Sequence, residues 1–294
     1  MPYLGETLAL LTAICWAFAV ILFKKSGEAV HPIGLNLFKD SLAVVLLIPT
    51  VFLVGENLFY PASWYDYALL LGSGALGIGI ADTLFFKSLN ALGAGLTAIV
   101  DCLYSPTIIG LSLIFLGEKL GVWEIVGASM IISAVLTISA EGGQSPDDKK
   151  RILWGILWGA LAMIANACGL VMIKPLLDRS PLFWVTEIRL VGGVLVLLLV
   201  VAFHPARRAI LASIRSPQRW GYTLSGSLLG AYVAMVLWLG GMKYTQASIA
   251  AVLNQTSNIF LFLFAALLLK EPITKVRLLG IVLGVGGVLL VTFV

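Results

Sequence analysis

Residues 94–118, AGLTAIVDCLYSPTIIGLSLIFLGE, align without a gap with residues 247–271, ASIAAVLNQTSNIFLFLFAALLLKE. The offset is 153 residues, and at the same offset Leu76, Gly77 and Gly127 also fall on identical residues. The chain therefore contains two copies of one unit. Internal repeats built from apolar segments are typical of secondary transporters, in which two halves enclose a site near the bilayer midplane.

The composition is that of a protein dissolved in lipid. Hydrophobic residues make up 60% of the 294 residues and charged residues only 12%, and the mean hydropathy is +1.02. About a quarter of the residues of a soluble domain are charged. In lipid, every backbone polar group needs an internal partner, so spanning segments are helices or closed barrels. The long apolar runs do not alternate with period two, so we predict an all-α integral membrane protein in a lipid bilayer.

Stretches of about 20 apolar residues predict ten transmembrane helices. They are Leu4–Phe23, Pro32–Val54, Asp66–Ser88, Gly95–Leu116, Val122–Ser139, Ile152–Ile173, Leu182–Phe203, Tyr222–Met242, Gln246–Leu269 and Val276–Val294. The polar stretch 141–151 is predicted to be a linker between a first repeat, 1–140, and a second repeat, 152–294. Because each repeat has five helices, the second enters the membrane in the opposite sense. The repeats are therefore inverted, and alternating access follows from that symmetry.

Lysine and arginine are distributed unequally between the two membrane faces. The odd-numbered connections carry most of them, including the basic stretch His204–Trp220. The positive-inside rule then places the odd connections in the cytoplasm and both termini outside. The net charge of +4 arises from these helix flanks, so no nucleic-acid partner is predicted.

Short motifs recur at matching places in the two halves. Residues 115–118 read FLGE and residues 269–271 read LKE, Lys24 and Lys174 close the first helix of each half, and Ser105–Pro106 lies in the fourth helix. With ten helices and a five-plus-five repeat, these motifs resemble the EamA-type transporters of the drug/metabolite transporter superfamily. The resemblance covers nearly the whole chain. It implies a multi-pass carrier of the bacterial inner membrane that moves small metabolites, often outward, without ATP hydrolysis.

The sequence departs from the family pattern at two places. Ile259 stands where a counterpart of Pro106 is expected, and the usual arginine of the second helix is Lys39, with Arg189 in the corresponding helix of the second half. The resemblance also implies cytoplasmic termini, which conflicts with the charge distribution. Orientation therefore stays open, as does the choice between monomer and homodimer.

Polar residues at membrane depth predict the functional site. A charged side chain at the bilayer centre costs about 2.5–3.5 kcal/mol on insertion scales, so such residues usually face the bundle interior or a wet cavity. Asp101 is predicted in the middle of the fourth helix, with Thr97, Tyr104 and Ser105 on the same face. The repeat offset predicts a matching stripe in the ninth helix, formed by Asn254, Ser257 and Asn258. Two facing stripes predict a substrate cavity; the alternative is that these groups bond one another between helices.

Asp82 is a second acid at membrane depth, and its repeat counterpart is Met235. A carboxyl group that accepts a proton inside the membrane is what a proton-coupled carrier needs, so Asp82 and Asp101 are the proton-coupling candidates. The alternative is that Lys39 or Arg189 neutralises Asp82 and holds helices together. Either cation can instead bind a substrate carboxylate or phosphate.

Aromatic residues and helix-end glutamates also bear on the predicted function. Trp16 and Trp238 are the aromatic residues predicted to line the cavity, whereas Glu118 and Glu271 lie at helix ends, where a structural or gate-edge role is expected. The sequence has no cysteine or histidine cluster with metal-ligand spacing and no P-loop. We therefore predict neither a metal nor a cofactor.

The predicted function is secondary active transport, with export of a small polar metabolite and coupling to protons. The resemblance implies an amino acid or a related organic acid as the small-molecule substrate. Two alternatives remain, because duplicated helices do not by themselves prove movement of a solute. One is a membrane-embedded enzyme that uses Asp82 and Asp101, and the other is a receptor or scaffold that transports nothing.

Overall fold

A computed structural model describes residues 3–116, 122–140, 146–215, 220–245, 250 and 253–293, and its regular elements in these ranges are helices. They are α1 (Leu4–Ser26), α2 (Pro32–Leu53), α3 (Trp64–Leu92), α4 (Ala94–Asp101), α5 (Tyr104–Leu116), α6 (Val122–Ala140), α7 (Pro146–Arg179), α8 (Leu182–Phe203), α9 (Arg207–Ile214), α10 (Trp220–Tyr244), α11 (Ser257–Leu268) and α12 (Lys275–Phe293).

Six of these helices, α1, α2, α3, α7, α8 and α10, are each long and apolar enough to cross a membrane. Shorter apolar stretches at Ile125–Thr137 and Leu253–Leu268 add to them. Helical residues occupy each of the ten predicted spans, and the all-α integral membrane class is confirmed. The helix α7 begins at Pro146, inside the stretch predicted as a polar linker.

The helices pack symmetrically under exchange of the two repeats. The second span of each repeat packs on its counterpart, α2 on α8, and so does the fifth, α6 on α12. The first and third spans cross over between the repeats, since α1 packs on α10 and α7 packs on α3. The fourth span meets its counterpart through α4 and α11. Each repeat thus buries its apolar faces mainly against the other repeat.

Both repeats interrupt their third span with a π-helical turn. The turn is Ala75–Ile80 in α3 and Ser227–Ala234 in α10, which are matching places at the repeat offset. A π turn leaves backbone carbonyl groups without their usual intrahelical partners. In α3, Asn36 of α2 donates hydrogen bonds to the carbonyl oxygens of Ile78 (3.1 Å) and Gly79 (2.9 Å). Side chains from a neighbouring helix therefore stabilise the widened turn.

The fourth span is not the continuous helix that the sequence predicted. Its first part, α4, ends at Asp101, the chain turns at residues 102–103, and α5 begins at Tyr104. Pro106 explains the interruption, because it lacks the N–H that would bond the carbonyl of Cys102 in a continuous helix. That carbonyl accepts a bond from the N–H of Ser105 instead, at 3.3 Å. Asp101 therefore lies at the end of a helix rather than in its middle.

The ninth span is interrupted at the same place without a proline. Residues 253–255 are helical, Thr256 forms a turn, and α11 begins at Ser257. The Thr256 hydroxyl donates to the carbonyl oxygen of Leu253 at 2.5 Å, and the Thr256 N–H bonds the same carbonyl at 3.2 Å. Threonine side chains that bond the backbone locally compete with helix continuation. The two repeats therefore reach one geometry by different local chemistry.

Candidate functional site

A cavity of about 130 Å³ lies between the two repeats, and both repeats contribute to its wall. A polar space of this size holds several water molecules or part of a small metabolite. All of the predicted site residues except Ser105 line it: Trp16, Lys39, Asp82, Asp101, Tyr104, Arg189, Trp238, Asn254, Ser257 and Asn258. The structure thus collects in one place residues that are scattered over most of the chain.

The two interrupted spans deliver the polar residues to the cavity. Asp101 and Tyr104 flank the turn between α4 and α5, and Asn254 and Ser257 flank the equivalent turn before α11. Half-helix ends that meet at membrane depth form the binding sites of many secondary transporters. The predicted polar residues are therefore presented by two turns rather than by two helix faces. Thr97, predicted on the same face as Asp101, does not line the cavity, and its hydroxyl bonds the Gly93 carbonyl at 2.6 Å within α4.

A buried ion cluster occupies one wall of the cavity. The Lys39 ammonium nitrogen lies 2.5 Å from an Asp40 carboxylate oxygen and 2.7 Å from an Asp82 carboxylate oxygen. It also lies 5.9 Å from the centre of the Phe86 ring. Lys39 and Asp40 are almost fully buried, whereas the Asp82 side chain keeps 12% of its surface exposed. Lys39 therefore joins two acidic side chains and keeps them together inside the membrane.

Replacing Lys39 with methionine is expected to destabilise the folded protein by about 3–5 kcal/mol, because removal of one partner leaves buried carboxylates without a counter-charge. Thermal unfolding in detergent, followed by tryptophan fluorescence, measures the effect. Lys25→Met is the matched control, since Lys25 pairs with Glu28 at 3.7 Å on the exposed surface and such pairs contribute little. Equal melting temperatures for the two variants would contradict this role of Lys39.

Arg189 also lines the cavity, and it is held differently from Lys39. Its Nε donates to the Ser73 hydroxyl at 3.1 Å, and that hydroxyl donates to the Gly169 carbonyl at 2.5 Å. The guanidinium carbon lies 5.9 Å from the centre of the Trp238 ring. Within the described residues, Nη1 of Arg189 has no hydrogen-bond partner, and the nearby Glu187 also keeps an unpaired carboxylate oxygen. One edge of the guanidinium is therefore anchored, while Nη1 is left without a protein partner among the described residues.

The repeat symmetry explains why Arg189 differs from Lys39. The helices α2 and α8 match at an offset of 150 residues, so Arg189 is the counterpart of Lys39. The positions equivalent to the two carboxylates that hold Lys39 are apolar in the second repeat: Leu190 and Met235. Among the side chains that the structure describes, no carboxylate forms an ion pair with Arg189. Divergence between the repeats has therefore left one cation in this cavity unpaired.

The turn residues also present unpaired polar atoms. Asp101 Oδ1, the Tyr104 hydroxyl and Asn254 Oδ1 are buried without a hydrogen-bond partner in the described part of the chain. Buried polar atoms are nearly always paired, so atoms that lack a protein partner and line a cavity are candidates for binding water or ligand. Asn258 is different, because it donates to Gln255 at 2.6 Å.

Among the further residues that line the cavity, the polar and aromatic ones outside the predicted site are Thr12, Phe85, Asn166 and Gln255. Asn166 is the counterpart of Trp16 at the offset of 150, so the repeat held a signal for it. Gln255 follows Asn254 directly, and a continuous helix would turn it away from the stripe. Of the helix-end glutamates, Glu118 lies outside the described residues, and Glu271 does not line the cavity.

These features together define a class of protein. Two helical repeats in a membrane, discontinuous helices that meet between them, and a charged cavity at that meeting point form the architecture of a secondary transporter. The sequence model of the EamA-like transporter family matches residues 3–140 and 153–293. The chain belongs to the EamA-like transporter family, and it is a membrane transporter.

Comparison with other proteins agrees with this assignment. The chain is 24% identical to an uncharacterised transporter of Archaeoglobus fulgidus over 286 residues, which are 96% of each chain. It is also 24% identical over 185 residues to the uncharacterised transporter YetK of Bacillus subtilis, covering 63% of this chain and 56% of that one. A solved crystal structure has a TM-score of 0.69 at 17% identity, covering 98% of this chain and 96% of the other, which supports the fold.

Proposed function

We propose that this transporter exports a small zwitterionic metabolite, an amino acid or a close analogue, in exchange for protons. The observation that carries the proposal is the combination of charges in one cavity. Arg189 presents an unpaired guanidinium nitrogen and Asp101 presents an unpaired carboxyl oxygen. A ligand with one carboxylate and one ammonium group satisfies both.

The state of Arg189 suits recognition of a carboxylate. A guanidinium binds a carboxylate through two parallel hydrogen bonds when its plane is fixed. The bond from Nε to Ser73 and the contact with the Trp238 ring fix that plane. Lys39 is unsuited to the same task, because Asp40 and Asp82 already occupy its ammonium group. Arg189 is therefore the substrate-binding cation of the proposal.

The aromatic wall suits the rest of a small substrate. The rings of Trp16 and Phe85 lie 5.9 Å apart, and both line the cavity. Binding sites for small molecules combine an apolar or aromatic wall with a few placed polar groups. In this proposal the wall contacts the side chain of the amino acid, while Arg189 and Asp101 bind its two charged groups.

Asp101 is the proton-coupling residue of the proposal. A carboxyl group in a wet cavity holds either a proton or a cationic ligand group, so binding of an ammonium group displaces the proton. Release of the substrate on one face and of a proton on the other then gives antiport, provided that the loaded forms alone exchange between faces. Asp82 is the less suitable candidate, because its carboxylate is shared with Lys39 at 2.7 Å.

Counterflow into proteoliposomes tests this function. Purified protein is reconstituted with unlabelled solute inside, and uptake of labelled solute is followed for three sets of compounds: amino acids, the amines formed by their decarboxylation, and the acids that lack the amine. We expect saturable exchange of one or more amino acids and none of the other two sets, with protein-free liposomes as the control. Exchange of acids or amines as fast as the matched amino acid would overturn the proposal.

Everted membrane vesicles test direction and coupling. With an amino acid that passes the counterflow test, we expect accumulation inside everted vesicles that is driven by an inside-acid pH gradient. A protonophore should abolish the accumulation while counterflow in proteoliposomes persists, because exchange needs no net proton movement. Accumulation that survives the protonophore would contradict proton coupling and leave transport itself established.

A further inference from the structure

Glu271 does not line the cavity and instead contacts the turn between α3 and α4. Its two carboxylate oxygens accept hydrogen bonds from the backbone N–H groups of Ala94 (2.8 Å) and Gly95 (3.0 Å), the first residues of α4. One of these oxygens also lies 3.4 Å from the Arg277 guanidinium. The residue that precedes α4, Gly93, has no side chain to cap the helix. A glutamate of the second repeat therefore caps a helix of the first repeat.

Two glycines, Gly93 and Gly95, leave room for the Glu271 carboxylate beside the backbone at the start of α4. Gly93 has φ +86°, and a Cβ there would lie 2.8 Å from a Glu271 carboxylate oxygen. A Cβ on Gly95 would lie 3.1 Å from the other oxygen. The carboxylate thus sits in direct contact with the backbone, where the first N–H groups of a helix have no intrahelical partner and favour negative charge.

A cation lies on the other side of the turn between α3 and α4. Lys24, the last lysine but one of α1, donates to the carbonyl oxygens of Leu89 (2.9 Å) and Asn90 (3.3 Å) at the end of α3. The second repeat makes the equivalent contact on the opposite membrane face, where Lys174 lies 3.4 Å from the Met242 carbonyl. The end of α3 therefore receives a cation and the start of α4 an anion, each from another part of the chain.

The turn between α3 and α4 is linked to the cavity by one short rigid element. The helix α4 has eight residues, so about 12 Å separates its capped start from Asp101 at its end. No other side chain caps its start within the described ranges. A displacement of the start of α4 would be carried directly to the turn that presents Asp101 and Tyr104.

We infer that Glu271 is a positioning residue that keeps one membrane face closed and, through α4, holds Asp101 in the cavity. This face, where α1 and α3 end and α4 and α12 begin, is termed the latch face. Opening towards the latch face requires that the carboxylate leave the two N–H groups. The inference rests on the proposed alternating access, but it depends on neither the substrate nor the coupling ion.

Sided labelling of a cysteine in the cavity tests the inference. Cys15, Cys102 and Cys168 are replaced by alanine, and Met235→Cys, at a position that lines the cavity, reports access of a membrane-impermeant maleimide. In a separate sample, Glu28→Cys at the end of α1 marks the latch face. Glu271→Gln should raise labelling of the cavity cysteine from the latch face roughly tenfold, because it removes a charge from two hydrogen bonds.

A matched control exists on the opposite face. Glu56 Oε2 accepts a bond from the Trp184 N–H at the start of α8, at 2.9 Å, so it caps a helix of the other repeat as Glu271 does. That helix is not interrupted, so Glu56→Gln should leave labelling from the latch face unchanged. If Glu271→Gln does not fold, Gly95→Ala replaces it, since its methyl group would press on the carboxylate.

Labelling that is unchanged in a monodisperse Glu271→Gln protein, or that rises equally from both faces, would overturn the inference. The labelling needs no substrate. Failure to find amino acid exchange would therefore count against the proposed function but not against the role of Glu271. Amino acid exchange together with unchanged labelling in Glu271→Gln would support the proposed function and overturn the role of Glu271.

Discussion

Arg189→Gln is expected to abolish amino acid counterflow. The guanidinium supplies two charge-assisted hydrogen bonds to the substrate carboxylate in the proposed complex, and each such bond is worth about 1.5–3 kcal/mol. Their loss should raise the half-saturating concentration at least roughly a hundredfold. Counterflow over a wide range of substrate concentration measures the change in proteoliposomes.

Two further variants make the Arg189 result interpretable. Arg189→Lys keeps the charge and loses the planar fork, so we expect a smaller loss, of roughly tenfold. Arg179→Gln removes an arginine whose ion pair with Asp66 lies outside the cavity, and it should keep wild-type counterflow if it folds. Unchanged half-saturation in Arg189→Gln would show that the cavity cation does not bind the carboxylate.

Asp101→Asn is expected to remove both substrate exchange and its dependence on pH. The amide cannot form an ion pair with an ammonium group and cannot take up a proton at neutral pH. The variant therefore binds neither the substrate ammonium group nor the coupled proton at this position. Asp82→Asn provides the contrast. It removes a partner of Lys39 and should lower stability, but the pH dependence of the remaining exchange should persist. Exchange rates between pH 5.5 and pH 8.5 in proteoliposomes of equal protein content distinguish the two.

Either of two results would contradict the role of Asp101. Retained exchange with the wild-type pH profile in Asp101→Asn would exclude it from both tasks. A flat pH profile in Asp82→Asn, with a normal profile in Asp101→Asn, would assign proton coupling to Asp82 in the ion cluster around Lys39 instead. Size-exclusion chromatography of each variant shows whether a loss of transport reflects a loss of folding.

Much of this architecture was predictable because hydropathy and repetition act over long stretches. The predicted spans followed from the need to bury backbone groups in lipid, and the place of Asp101 in the cavity wall followed from the cost of charge in lipid. Pro106 was a usable signal for the interruption of the fourth span, although the sequence reasoning did not draw that conclusion. The interruption at Thr256 had no such signal, because a threonine in an apolar helix usually bonds the backbone without ending the helix.

The pairing of charges was beyond the sequence. Lys39 and Arg189 occupy equivalent places, and the sequence left each free to hold helices together or to bind substrate. Only the distances from Lys39 to Asp40 and Asp82, and the bond from Arg189 to Ser73, separate the two roles. The same holds for Glu271: its position at a helix end was evident, whereas its contact with the start of α4 depends on how the two repeats pack.

The two repeats have matching helix interruptions, and they differ in the charged residues that line the cavity between them. Both interrupt the third span with a π turn and the fourth with a break, which produces a cavity with pseudo-symmetric walls. The carboxylates that neutralise Lys39 have no counterpart around Arg189, and Asp101 has the neutral Asn254 as its counterpart in the second repeat. Among the described residues that line the cavity, Arg189 and Asp101 are therefore a cation and a carboxyl group that each keep an unpaired polar atom.

The most direct test of carboxylate binding by Arg189 is a thermodynamic double-mutant cycle that combines a change in the substrate carboxylate with a change in Arg189. Calorimetric titration compares an exchanged amino acid with its methyl ester, each in wild-type protein and in Arg189→Gln. The account predicts that esterification weakens binding at least roughly tenfold in the wild type and has almost no effect in the variant, because both changes remove the same contact. Additive losses from esterification and from Arg189→Gln would show that Arg189 does not bind the carboxylate, and would contradict the account.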